Sequence, residues 1–107
     1  MELFPEEVAK TVPPLYSQEH VEDPMVICKF FHPLSNMTWY ATEGSVEGDD
    51  FIFFGWVHSD SPELGYFSLN EMQAVRVMGL GIERDLHFTP KKLSEVRKEH
   101  AEQHGDT

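Results

Sequence analysis

Apolar and polar positions alternate through the middle of the chain with the period of two that strands require, and shift to helical spacing at both ends and once between. Met25 to Phe31 is apolar on both alternating sets, Val26, Cys28 and Phe30 against Met25, Ile27 and Phe31, with only Lys29 polar. Such a strand is expected to be central or covered on both faces. His32-Pro33-Leu34-Ser35-Asn36 punctuates it, and Met37 to Glu43 resumes with β-branched and aromatic residues, which predicts a hairpin. The turn chemistry of Gly44 to Asp50 precedes Phe51 to His58, the most apolar strand of the chain. Asp60-Ser61-Pro62-Glu63 turns it again, and Gly65 to Ser68 makes a short fourth strand.

Pro5 to Thr11 predicts one short helix, because proline suits the first turn, Glu6 and Glu7 favour the positive end of the dipole and Pro13-Pro14 forbids continuation. Leu15 to Pro24 is polar and bounded by prolines, and reads as a surface loop. Ser68-Leu69-Asn70-Glu71 has capping-box spacing and opens a helix from about Leu69 to Met78, with Leu69, Met72, Val75 and Arg76 on one side and Gly79 as its stop. Ile82 to Phe88 adds a fifth strand. Thr89-Pro90 supplies a cap and first turn for a last helix from about Pro90 to Gln103, fraying into Gly105-Asp106-Thr107. The order predicts an α+β fold: an antiparallel β-meander of four to five strands packed with an N-terminal short helix and two longer helices. One domain covers 1–96, and 97–107 is the helix end and a frayed tail. Aromatic residues on both faces of the strands make one face the core, and the other is expected to be roofed by the two longer helices.

The 107 residues suffice for one domain, and 40% apolar content fills one core. Charge changes the picture more. The 8 basic and 19 acidic side chains leave a net −11, and residues 1–83 hold 14 acids against 3 basic residues. No Lys/Arg cluster there could neutralise phosphates, so direct nucleic-acid binding is not expected. Arg84, Lys91, Lys92, Arg97 and Lys98 alternate with Asp85, Glu95 and Glu99, as on a solvated helix. With no run of 18 apolar residues and an acidic N-terminus, neither membrane insertion nor export is expected. A single cysteine forms no internal disulfide and fits a reducing, cytoplasmic setting.

Most candidate chemistry resolves into structure. His100 and His104 have a helical ligand spacing of four, but two ligands make no metal site, and they read as a surface pair. His58-Ser59-Asp60-Ser61 reads as a solvated turn, since adjacent residues on a strand point to opposite faces. Cys28, mid-strand among apolar neighbours, is expected to be inert. Gly79-Leu80-Gly81 lacks the residues of a phosphate loop, and Asp49-Asp50 and Glu22-Asp23 read as solubilising turn residues. Neither catalytic residue, metal nor cofactor is assigned. Glu83-Arg84-Asp85 is the one segment that could build either an ion-paired anchor or the edge of a cleft. The cleft reading groups the candidate binding residues Trp39, Tyr40, Glu43, Glu63, Tyr66, Arg84 and Asp85.

Lys29-Phe30-Phe31, Thr38-Trp39-Tyr40-Ala41-Thr42-Glu43, Phe53-Phe54-Gly55, Glu63-Leu64-Gly65-Tyr66-Phe67-Ser68-Leu69 and Ile82-Glu83-Arg84-Asp85-Leu86 together resemble a small bacterial family catalogued as domain of unknown function 2958. The resemblance spans about residues 3 to 96 and leaves the tail outside. It implies a setting on plasmids, phages and integrative elements near DNA-processing or antirestriction genes, and no activity or catalytic residues.

Three functions compete on this basis. The first is a non-enzymatic interaction module whose negative charge engages a protein partner, such as one with a basic nucleic-acid-binding face. The second is a small enzyme or ligand-binding protein that uses the cleft, with a carboxylate as base and Arg84 as anion clamp. The third is a homodimer through an exposed strand or aromatic face.

Overall fold

A meander of four consecutive strands forms the centre of the molecule. The computed structural model describes residues 2–104, with His104 described by its backbone alone. In chain order the elements are α1 (Glu6–Ala9), β1 (Met25–Val26), β2 (Cys28–Phe31), β3 (Thr38–Glu47), β4 (Asp50–His58), β5 (Pro62–Ser68), α2 (Leu69–Ala74), β6 (Glu83–Arg84), β7 (Lys91–Lys92) and α3 (Leu93–His104). The antiparallel sheet has the order β5-β4-β3-β2-β6, and β1 pairs with β7 in a separate two-stranded ladder. This is the α+β meander that the pattern predicts. Its elements differ mainly at their ends.

β3 runs on through Glu47, so Gly48-Asp49 alone turns the chain into β4, and Gly48 takes the positive φ of 63° that opens a two-residue hairpin loop. β5 starts at Pro62, inside the predicted turn. α2 is capped as expected, with Glu71 N–H donating to Ser68 Oγ, but it stops at Ala74 because Val75 turns extended. Gly79 is left-handed as predicted, yet it serves a two-residue turn with Met78 that closes Val77 onto Leu80. His32 anchors that turn: Leu34 N–H donates to its Nδ1, which leaves Nε2–H to donate to the Leu80 carbonyl at 2.9 Å. The predicted fifth strand shortens to Glu83–Arg84. α3 starts at Leu93, not Pro90, because Lys91 and Lys92 are held against Val26 and Met25. The expected fray at Gly105–Thr107 lies outside the described residues.

Each face of the sheet has its own core. On the first, Phe30, Trp39, Ala41 and Phe53 pack with Leu3, Phe4 and Val12 from the N-terminal segment, Met72 of α2 and Ile82. On the second, Val26, Tyr40 and Trp56 pack with Leu93 and Val96 of α3. The two longer helices therefore lie on opposite faces instead of sharing a roof. α3, with 12 residues and a length of roughly 18 Å, covers Tyr40 and Trp56. It leaves Leu64 and Tyr66, on the β5 side of that face, 52% and 57% exposed.

One irregularity decides which side chains reach the second face. Ala41 pairs with Gly55 and Glu43 with Phe54, so Thr42 is an unopposed bulge residue whose Oγ1 donates to the Phe54 carbonyl. Beyond the bulge the parity reverses: Tyr40 and Glu43, three residues apart, face the same way. The strands close up here, and a Cβ on Gly55 would collide with the Tyr40 carbonyl oxygen, whereas one on Gly65 meets open space. Gly55→Ala is accordingly expected to destabilise by about 3 kcal/mol through backbone displacement, and Gly65→Ala to stay within about 0.5 kcal/mol of wild type. Urea denaturation of the two variants checks this, and equal midpoints would refute the close approach.

Candidate functional site

The unroofed half of the second face is the floor of an open cleft of about 890 Å³. Thr42, Glu43, Phe54, Leu64 and Tyr66 form the floor, and the 16–24 loop and the start of α3 form the walls. Polar anchoring positions this loop. Gly44 N–H donates to the Pro13 carbonyl at 2.8 Å, and Leu15 N–H to Ser45 Oγ at 2.9 Å. Glu43, 4% exposed, then accepts from Tyr16 N–H at Oε1 (2.9 Å) and from Gln18 N–H at Oε2 (2.7 Å). Tyr16 sits at φ 71°, a left-handed conformation that non-glycine residues rarely adopt. Hydrogen bonds to a charged acceptor contribute roughly 1.5–3 kcal/mol each, enough to offset about 1–3 kcal/mol of backbone strain. The loop is thereby held with the Tyr16 side chain 60% exposed at the cleft rim.

A second carboxylate joins the two walls. Asp23 Oδ1 accepts from Ser94 N–H at 2.9 Å and Oδ2 from Ser94 Oγ at 2.6 Å, while Leu93 N–H donates to the Pro24 carbonyl. The first turn of α3 is thus capped from 71 residues away, not by Thr89. The Ser94 hydroxyl, then its backbone N–H, hold the Asp23 carboxyl below its ordinary value. Phe54 and Tyr66 meet edge to face at 4.9 Å, and loss of solvation, reinforced by Tyr16, Glu43 and Glu19, pushes the Tyr66 hydroxyl upward. Glu19, Glu22, Asp23 and Glu43 make the lining predominantly negative; its described basic residue, Arg97, lies over the Trp56 ring at 5.5 Å.

Of the seven candidate binding residues, the fold brings Glu43 and Tyr66 together here and disperses the rest. Trp39 is buried in the first core. Glu63 pairs with Val57 and so points to that same face at the sheet edge. Arg84 lies on the opposite edge, four strands and roughly 19 Å from β5, and its Nη1 donates to the Leu3 carbonyl. Tyr40 and Asp85 border a separate polar cavity of about 160 Å³, with the ion pairs Lys29–Asp85 at 3.8 Å and Lys91–Glu99 at 2.9 Å. Tyr40 Oη and His100 Nδ1 share a buried hydrogen bond of 2.8 Å, and burial foremost pushes that hydroxyl up.

Other sequence readings change with these placements. His100 is 2% exposed in the second core, its ring 4.2 Å from that of His58, and so is not half of a surface pair. Asp23 and Asp50 are capping carboxylates rather than merely solubilising ones; Asp50 accepts from Ser68 Oγ and Asn70 N–H at the start of α2, and these bonds hold its carboxyl low. Cys28 is buried, and desolvation pushes its thiol up to about 12. The sequence reading missed Tyr16, Glu19, Glu22, Phe54, Leu64 and Arg97 as lining residues. The available signal was a tyrosine among acids in a proline-bounded segment. Among the described residues, no three His, Cys, Asp or Glu side chains gather as a metal site, and no helix is long and apolar enough to cross a membrane.

The chain matches, over residues 6–107, the model of a family described as protein of unknown function (DUF2958), and it belongs to that family. The match runs past Val96, where the sequence resemblance stops, and so includes all of α3. No curated protein and no solved structure matches the chain.

Because the Asp23 carboxyl is held below the ordinary 3.8 in the folded state, its contribution to stability is complete above that value and fades as pH falls through the lowered one. Asp23→Asn is expected to lower the urea midpoint at pH 7, with the gap from wild type narrowing below pH 3.8. A gap that is constant across this range would show that the charge is not what caps α3.

Proposed function

We propose that the protein is a non-enzymatic interaction module whose cleft takes a basic segment of a partner protein, of the kind that nucleic-acid-binding proteins carry. The observation that carries this reading is the pairing of an open, aromatic-floored cleft with Glu19, Glu22, Asp23 and Glu43 in its lining, on a chain of net charge −11. A field of one sign speeds encounter with an opposite-sign partner and repels the phosphate backbone itself. Apolar floor area then supplies affinity that does not depend on salt. The mobile-element and DNA-processing setting implied by the resemblance fits a partner of this charge.

A second reading is favoured by the size of the cleft. A volume of about 890 Å³ lies within the range of small-molecule sites, and Glu43 and Tyr66 would then face a small ligand, without the arginine clamp that the sequence reading placed beside them.

Fluorescence anisotropy separates the readings. A labelled Lys/Arg-rich peptide is expected to bind at low salt and weaken steeply as salt rises, labelled duplex DNA is not expected to bind, and Glu19→Gln with Glu22→Gln is expected to reduce peptide affinity about fivefold. Binding to DNA, or peptide binding indifferent to both substitutions, would overturn the proposal.

A further inference from the structure

We infer that the cleft is a receptor for one arginine side chain of the partner, held between the Tyr16, Phe54 and Tyr66 rings and the carboxylates above them; this deepens the proposed function and rests on it. Three observations converge. The aromatic side chains come from separate parts of the chain, loop 16–24, β4 and β5, yet all line one cavity. Two of them, Tyr16 and Tyr66, are more than half exposed in a protein that buries both of its tryptophans. The first stands on a left-handed backbone secured by Glu43. A ring presented to solvent from a strained position is costly for a residue serving stability alone, and strain of this kind collects at sites that bind.

The chemistry of the lining selects the occupant. Aromatic faces attract a cation through the ring quadrupole, and carboxylates at the rim reinforce that attraction. Glu19 and Glu22 lie on the wall that carries Tyr16, and the buried Glu43 holds that wall in place. A guanidinium suits this lining better than an ammonium: it is planar, stacks on rings, donates in a fork to carboxylates and sheds water more easily. The apolar stem of arginine would lie along Leu64 and Phe54. The same pairing already occurs inside the protein, where the Arg97 guanidinium lies 5.5 Å over Trp56 at the neighbouring end of the cleft.

Calorimetric titration of the full chain with one short basic peptide, carrying at its central position arginine, citrulline or lysine, tests the assignment. Citrulline keeps the shape and removes the charge, and is expected to bind about tenfold more weakly; lysine is expected to bind about fivefold more weakly. Tyr66→Leu is expected to weaken the arginine peptide about fivefold. Tyr16→Gly is expected to weaken it similarly while melting at or above the wild-type temperature, since glycine relieves the positive φ. That variant separates lost recognition from lost folding. If basic peptides bind with salt dependence but the three central residues and the tyrosine variants are equivalent, the arginine receptor is wrong and the interaction module stands. If lysine binds as well as arginine, the guanidinium assignment falls. If no basic peptide binds at low salt, both fall.

Discussion

The interaction on which the cleft depends is the pair of hydrogen bonds that the buried Glu43 carboxylate accepts from Tyr16 and Gln18. A carboxylate inside a protein is costly unless its oxygens are satisfied. Here the backbone of the 16–24 loop satisfies them, and the loop gains in return a fixed position against the sheet. The acid is the loop's anchor, and the loop's backbone N–H groups satisfy the acid's oxygens.

That pairing explains why the two faces of one sheet end so differently. The first face is filled by apolar contact: Phe4 meets Phe30, Phe51 and Phe53 with ring centroids 4.8–6.3 Å apart, and α2 completes the packing. The second is closed by apolar contact only under α3. The rest is bounded by polar clasps, Glu43 to the loop and Asp23 to the helix, which define an edge without filling the space inside it. Several of the acids behind the large negative charge are thus structural, since Asp23 and Asp50 hold helix starts while Asp85 and Glu99 sit opposite lysines.

The sequence made the architecture legible because period-two alternation, turn residues and the Ser68–Glu71 cap are local signals, although the strands β3 and β5 extend into the predicted turns. It did not make the site legible, because the site is built from events that are not local. Strict alternation puts Trp39, Ala41 and Glu43 on one face, but the bulge at Thr42 sends the first two into the core and the third into the cleft. Arg84 looked close to Tyr66 only while the strand order was unknown; β6 joins β2, on the far edge. Asp23 gave no sign of capping a helix 71 residues later, and His100 looked like tail until its partner Tyr40 was placed, 60 residues back. The shorter α2 has a local cause that propensity alone understates: Val75 leaves the helix and packs against the first core in extended form.

The bulge has a bearing on how such a gene can vary. Losing the Thr42 codon would leave a regular ladder with the same pairs, whereas a one-residue slip elsewhere in β3 with the bulge kept would exchange its inward and outward side chains and bring a carboxylate among phenylalanines. Length can be added at the Gly48-Asp49 tip, where both strands grow together. An insertion in the 59–61 stretch between β4 and β5 leaves the faces of both strands unchanged.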